Sequence, residues 1–95
     1  MPRSVSRFET ERASRYLQAM CKHFAHKVEV NYDEKQGTAT MPYGHLEMVV
    51  RDGVLHFAVE AESGELLDRM KHVVDAHIVR FAFREEITGL EWSDA

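Results

Sequence analysis

The sequence predicts an α+β domain, a two-layer sandwich in which two helices cover one face of an antiparallel sheet. Three observations predict it. Two stretches, near residues 13–26 and 65–81, repeat apolar residues at helical spacings of three and four. Between them the pattern switches to alternation with period two, over several short runs. Those runs are half polar, which fits an antiparallel sheet with one buried and one wet face. Ninety-five residues make one domain, 1–95, with room for a single modest core.

Taken in order, Ser4 to Phe8 is a short strand candidate with poor alternation. Thr10 suits the N-cap of the first helix, and Glu11 its first turn, where the helix dipole favours an acid. Glu11 also has Arg15 four residues on. The stripe Ala13, Tyr16, Leu17, Met20, Cys21 and Phe24 carries this helix to about Ala25 or His26. Val28, Val30 and Tyr32 then alternate with Glu29 and Asn31. Asp33 to Gly37 form a turn, with Gly37 free to take the left-handed conformation. Ala39 and Met41 face inward between Thr38 and Thr40, and Pro42-Tyr43-Gly44 breaks the strand.

Leu46, Met48 and Val50 form the next inward row. Asp52-Gly53, the strongest hairpin signal in the chain, joins it to Leu55, Phe57, Val59 and Ala61. Ser63-Gly64-Glu65 opens the second helix, with the stripe Leu66, Leu67, Met70, Val73, Val74, His77, Ile78 and Phe81. Glu65–Arg69 and Asp68–His72 have the spacing of pairs on a solvated face. Phe83 falls off the stripe, so the helix ends or bends near Ala82, and Leu90-Glu91-Trp92 is placed for a last short strand. The order is β-α-β-β-β-β-α with that final β. The open sheet face carries Glu29, Thr38, Thr40, His45, Glu47, His56 and Glu60.

Twelve basic and sixteen acidic residues give a formal net charge of -4. Nucleic-acid binders usually carry the opposite field, to neutralise phosphates, so nucleic acid is not an expected partner. One cysteine permits no internal disulfide and suits a reducing compartment. The N-terminal residues show no apolar signal region, and no run approaches the roughly 18 apolar residues of a membrane span. The expectation is a soluble cytoplasmic protein without a membrane partner.

The residues that invite a chemical reading fall in three groups. In Cys21-Lys22-His23-Phe24-Ala25-His26-Lys27 one thiol and two imidazoles crowd together. At about 100° per residue Cys21 and His23 point to nearly opposite sides, which places Cys21 on the apolar stripe as a small buried hydrophobe. His23 and His26 share one side, but two ligands do not make a metal site.

On the open face, a two-residue Asp52-Gly53 turn pairs Val49 with His56, Glu47 with Ala58 and His45 with Glu60. His45, Glu47, His56 and Glu60 then form one patch, of residue types that also ligate first-row metals. Cross-strand charge pairs of this kind are equally an ordinary surface pattern.

The third group is His77, inside an apolar stripe, with Arg80 and Arg84 beyond it. A histidine there is most often a satisfied core-edge residue, and the arginines offer cations for an anion or for acidic neighbours. The chain has no glycine-rich phosphate loop, nucleophile elbow, His-Glu-x-x-His or Cys-x-x-Cys.

Arg15-Tyr16-Leu17 with Cys21-Lys22-His23-Phe24-Ala25-His26-Lys27, Met41-Pro42-Tyr43-Gly44, and His77 with Arg80-Phe81-Ala82-Phe83-Arg84-Glu85 together resemble a small bacterial family, domain of unknown function 2218. The resemblance spans nearly the whole chain. Some members are joined to, or encoded near, siderophore-interacting flavin reductases, which implies a link to iron acquisition. It implies no catalytic residues and no cofactor.

The expectation for function is a non-enzymatic accessory domain in iron or siderophore metabolism, binding a reductase partner or a small anionic ligand through His23, His26, His77, Arg80 and Arg84. One rival is a small metal-dependent or ligand-converting enzyme using His23, His26 or His77. The other is a homodimer through the open sheet face, where Val49 and Ala58 supply apolar area.

Overall fold

The computed structural model describes residues 2–95. It contains the strands β1 (Arg3–Glu9), β2 (Glu29–Tyr32), β3 (Gln36–Met41), β4 (Gly44–Arg51), β5 (Val54–Glu60) and β6 (Ser93–Asp94). The helices are α1 (Ala13–Phe24), between β1 and β2, and α2 (Gly64–Phe81), between β5 and β6. One six-stranded sheet has the order β2-β3-β4-β5-β1-β6, and each neighbouring pair is antiparallel. Both helices pack on one face. Leu17, Met20 and Cys21 of α1 and Leu67, Met70, Val74 and Ile78 of α2 bury themselves against Ala39, Leu46, Met48, Leu55, Phe57 and Val59 of the sheet. This is the predicted α+β sandwich, with the alternating and helical rows facing inward as expected except at the edge strand β2, where Val30 is only half-buried and Tyr32 is 43% exposed.

The central hairpin forms because Asp52 and Gly53 both adopt positive φ, 53° and 73°, the geometry of a tight turn whose twist matches the strands. Its register is the predicted one: Val49 opposite His56, Glu47 opposite Ala58, His45 opposite Glu60. Ser63 caps α2, its hydroxyl accepting from the Leu66 N–H at 3.2 Å. The helix stops at Phe81, and a 3-10 turn at Phe83–Glu85 leaves Phe83 67% exposed.

Several expectations are corrected. Thr10 does not cap α1. Its hydroxyl accepts from the Arg12 N–H at 3.1 Å and donates to Glu85 at 2.9 Å, so it closes the turn before the helix. The helix starts at Ala13 with no acid in its first turn, which leaves Glu11 outside it. Among the described residues the pairs Glu11–Arg15, Glu65–Arg69 and Asp68–His72 do not form. Asp68 instead meets Lys71 at 3.8 Å, and Arg69 lies over the Tyr43 ring at 4.6 Å.

Gly37 is not left-handed. It lies in β3 directly under α1, where an added Cβ would stand 2.6 Å from Cys21 Sγ, so close approach requires glycine there. The final strand is Ser93–Asp94 rather than Leu90–Trp92. The segment before it is held by Asp75 Oδ1, which accepts from the Trp92 indole at 2.9 Å and the Leu90 N–H at 3.3 Å. β1 alternated poorly because serines carry its inward face. Ser4 and Ser6 lie opposite Val59 and Phe57, and Ser6 donates to the Glu91 carbonyl at 2.7 Å. These small side chains leave room for Trp92 to pack edge-on to Phe57, with ring centroids 6.3 Å apart.

Candidate functional site

The C-terminal turn of α1, the third to fourth turns of α2 and the β3–β4 turn enclose a cleft of about 360 Å³. Its apolar walls come from Phe24, Val28, Met41 and Val73, and its polar groups from His23, His77, Lys27 and Tyr43. A mostly apolar concavity with a few convergent polar groups is the usual form of a small-ligand site, and this volume lies within the range of such sites. The helix stripes explain the placement. Phe24 and His77 occupy the margins of the two apolar faces, so packing of the helices on the sheet brings their rings within 4.8 Å of each other.

His23 follows on the exposed side of α1, its ring 4.9 Å from that of His77 and 5.9 Å from that of Phe81. His77 Nδ1 donates to the Val73 carbonyl at 2.6 Å, one turn back along α2. That bond fixes the tautomer of the neutral ring and leaves Nε2 as its acceptor.

Partial burial lowers the pKa of His23 below the usual histidine value, and His77, Arg80, His26 and Lys27 lower it further by their positive charge. The charges that act on His23 at the mouth of the cleft are thus all positive, on an acidic protein. They suit an anion and oppose a bare cation.

The sequence candidates are thus partly separated. His23 and His77 come together across the two helices. Arg80 is exposed and acts on His23 through its charge, and His26 lies past the end of α1, exposed in the following turn; neither lines the cleft. Arg84 is elsewhere. The 3-10 turn carries it over the Phe83 ring at 5.6 Å, beside Arg12 and Arg15. There Glu85 accepts from the Tyr16 and Thr10 hydroxyls and lies 4.0 Å from Arg12.

The metal patch also divides. His45 and His56 lie opposite Glu60 and Val49, four residues apart along the strands, or roughly 13 Å at strand rise, too far to share one ion. His45 Nδ1 lies 3.3 Å from Thr40 Oγ1. No group of three His, Cys, Asp or Glu suited to a metal forms among the described residues. Cys21 is fully buried, and burial pushes its thiol up to about 11.

Lys27 and Tyr43 line the cleft without being among the sequence candidates, although both lie in the segments that carry the family resemblance. The sequence signals for them were a cation just past a helix end and an aromatic ring in a two-residue turn after proline. Among the described residues no helix is long and apolar enough to cross a membrane.

The fold defines a small open-faced α+β sandwich with an amphipathic cleft at its helix ends. The model of DUF2218, a family of uncharacterised proteins conserved in bacteria, matches residues 5–93, and the chain belongs to that family. The NMR structure of PA4090 from Pseudomonas aeruginosa is similar at 28% identity and a TM-score of 0.81, over 98% of this chain and 96% of that one. No curated protein matches the chain.

Proposed function

We propose that the protein is a non-enzymatic cytoplasmic accessory domain that binds a small, partly apolar anion in the helix-end cleft. The observation that carries the reading is the pairing of apolar walls with a mouth that brings together Lys27, His23 and His77, with Arg80 near enough to act on His23. Imidazoles beside an ammonium and a guanidinium hold an anion or an anionic iron chelate better than a free cation. The thiol supplies no nucleophile here, because it is sealed in the core on the other side of α1. The resemblance to a family with members joined to, or encoded near, siderophore-interacting flavin reductases is the support for proposing iron or siderophore metabolism as the setting and such a reductase as the partner, and it makes ferric siderophores the first ligands to try.

A second reading has one specific observation behind it. The locked tautomer of His77 leaves Nε2 free to take a proton, as a general base would.

Calorimetric titration of the wild type and a His23→Ala/His77→Ala variant with ferric siderophores, citrate and phosphate tests the binding reading. At least tenfold weaker binding by a variant that keeps its fold is expected. Equal affinity in both proteins, or silence from a folded wild type with each compound, would overturn it. Chemical conversion of a bound compound, lost with His77, would favour the enzymatic reading.

A further inference from the structure

We propose that the open face of the sheet holds a second site, for a small organic acid. Its carboxylate would sit between Arg7 and Arg51, and its apolar body would lie on Val5, Val49 and Ala58. The site is on the opposite side of the sheet from the helix-end cleft and does not depend on that reading.

The strand register assembles it. Across β1, β5 and β4, Arg7 stands opposite His56 and His56 opposite Val49, while Val5 stands opposite Ala58 one row along. Arg51 lies two residues beyond Val49 on the same face, diagonal to His56. These residues line a groove of about 420 Å³, and Arg3, Glu47 and Glu91 also line it.

Two features mark the groove as a ligand site. The first is charge. Like charges gathered on neighbouring strands disfavour the sheet, here the permanent charges of Arg7 and Arg51 and any proton that His56 takes between them. A chain with sixteen acidic residues nevertheless places Arg7 against His56 and adds Arg51 beside them. Glu9 takes Arg7 from the side at 2.6 Å, and among the described residues Arg51 has no carboxylate within 4.0 Å. Partial burial lowers the His56 pKa, Arg51 and Arg7 lower it further, and Asp52 opposes them weakly. An anion at this end would relieve that repulsion, and two guanidinium forks fit a planar carboxylate.

The second feature is polarity along the strands. The cationic row gives way about 7 Å on to the Val5–Ala58 row, by the rise of two residues. Glu47 flanks that same row, opposite Ala58. At that end of the groove Arg3 stands opposite Glu60 with Glu47 one row away, so acids offset its charge, whereas Arg7 and Arg51 gather at the other end and draw the carboxylate there.

A titration of the ¹⁵N-labelled chain at pH 6 with octanoate, octanol and inorganic phosphate tests the site. Octanoate should shift the amides of Arg7, Val49, Arg51, His56 and Ala58 and raise the titration midpoint of His56. Arg51→Gln, a change at an exposed side chain, should weaken octanoate at least fivefold. Val49→Thr should weaken octanoate but leave the response to phosphate unchanged.

The proposal is overturned if phosphate or octanol matches octanoate, since both the carboxylate and the apolar body are then dispensable. It is also overturned if octanoate moves only Phe24, Tyr43 and His77, or if Arg51→Gln binds as the wild type does. Failure at this face leaves the helix-end reading intact, and failure there leaves this one intact.

Discussion

Replacing Gly37 by alanine tests how α1 is seated on the sheet. In a strand, at a φ open to any residue, Gly→Ala ordinarily stabilises by about 0.4–1 kcal/mol, by restricting the unfolded chain. Here the new Cβ would lie 2.6 Å from Cys21 Sγ, 3.1 Å from Tyr32 Cβ and 3.5 Å from Leu17 Cδ2. Cys21 and Leu17 are fully buried, so neither can swing into solvent, and the contact must push α1 off β3. Overpacking of this kind costs about 1–3 kcal/mol, which reverses the sign of the substitution.

The contact also predicts coupling. Cys21→Ala removes the sulfur, so Gly37→Ala should cost less in that background, with an interaction term of about 0.5–3 kcal/mol in a double-mutant cycle. Urea denaturation of the four proteins measures it. A stabilising Gly37→Ala, or costs that simply add, would refute the close seating of α1.

The remaining predictions use the same core and its titrating groups. Cys21 should label with a thiol reagent far more slowly in the native than in the unfolded protein, because it is buried with its thiol pushed up to about 11; equal rates would contradict its placement. Phe57→Ala and Met70→Ala should each cost about 2–5 kcal/mol by denaturant midpoint, and unchanged midpoints would place the inward face backwards.

Stability should also fall at both ends of the pH range. His23 and His56 bind protons less readily folded than unfolded, so their contribution is complete above about pH 6.5 and declines as pH falls below it. Cys21 holds its proton more tightly folded, so stability declines as pH rises from about 9 towards 11, and Cys21→Ala should flatten that alkaline limb. A flat profile between pH 5 and 7.5 or an unaltered alkaline limb would count against these assignments.

What was legible in the sequence was local. The Asp52-Gly53 turn announces itself by residue type, and once it is placed the pairs Val49–His56, Glu47–Ala58 and His45–Glu60 follow by counting. Each helix stripe likewise reports its own inward face. What was not legible depended on long-range geometry. β1 is paired to β5 some fifty residues away, and its serine-lined inward face gives no hydrophobic alternation, so Arg7 could not be set beside His56. The meeting of His23 with His77 required knowing where two helices settle on one sheet, and the exclusion of Arg84 required knowing that the chain turns off the α2 axis after Phe81. Gly37 reads as a turn glycine because its neighbours are turn formers, whereas what requires glycine there is the Cys21 sulfur on α1.

The central claim, that the helix-end cleft is a ligand site, is tested most directly by amide shift mapping during titration of the wild-type chain with a ferric siderophore analogue containing diamagnetic gallium. The account predicts that Phe24 to Val28, Met41 to Gly44 and Val73 to His77 shift together and saturate along one binding curve. It also predicts tighter binding at pH 6 than at pH 8, as His23 gains its proton beside the anion. Shifts scattered over other surfaces, or none at all, would contradict it.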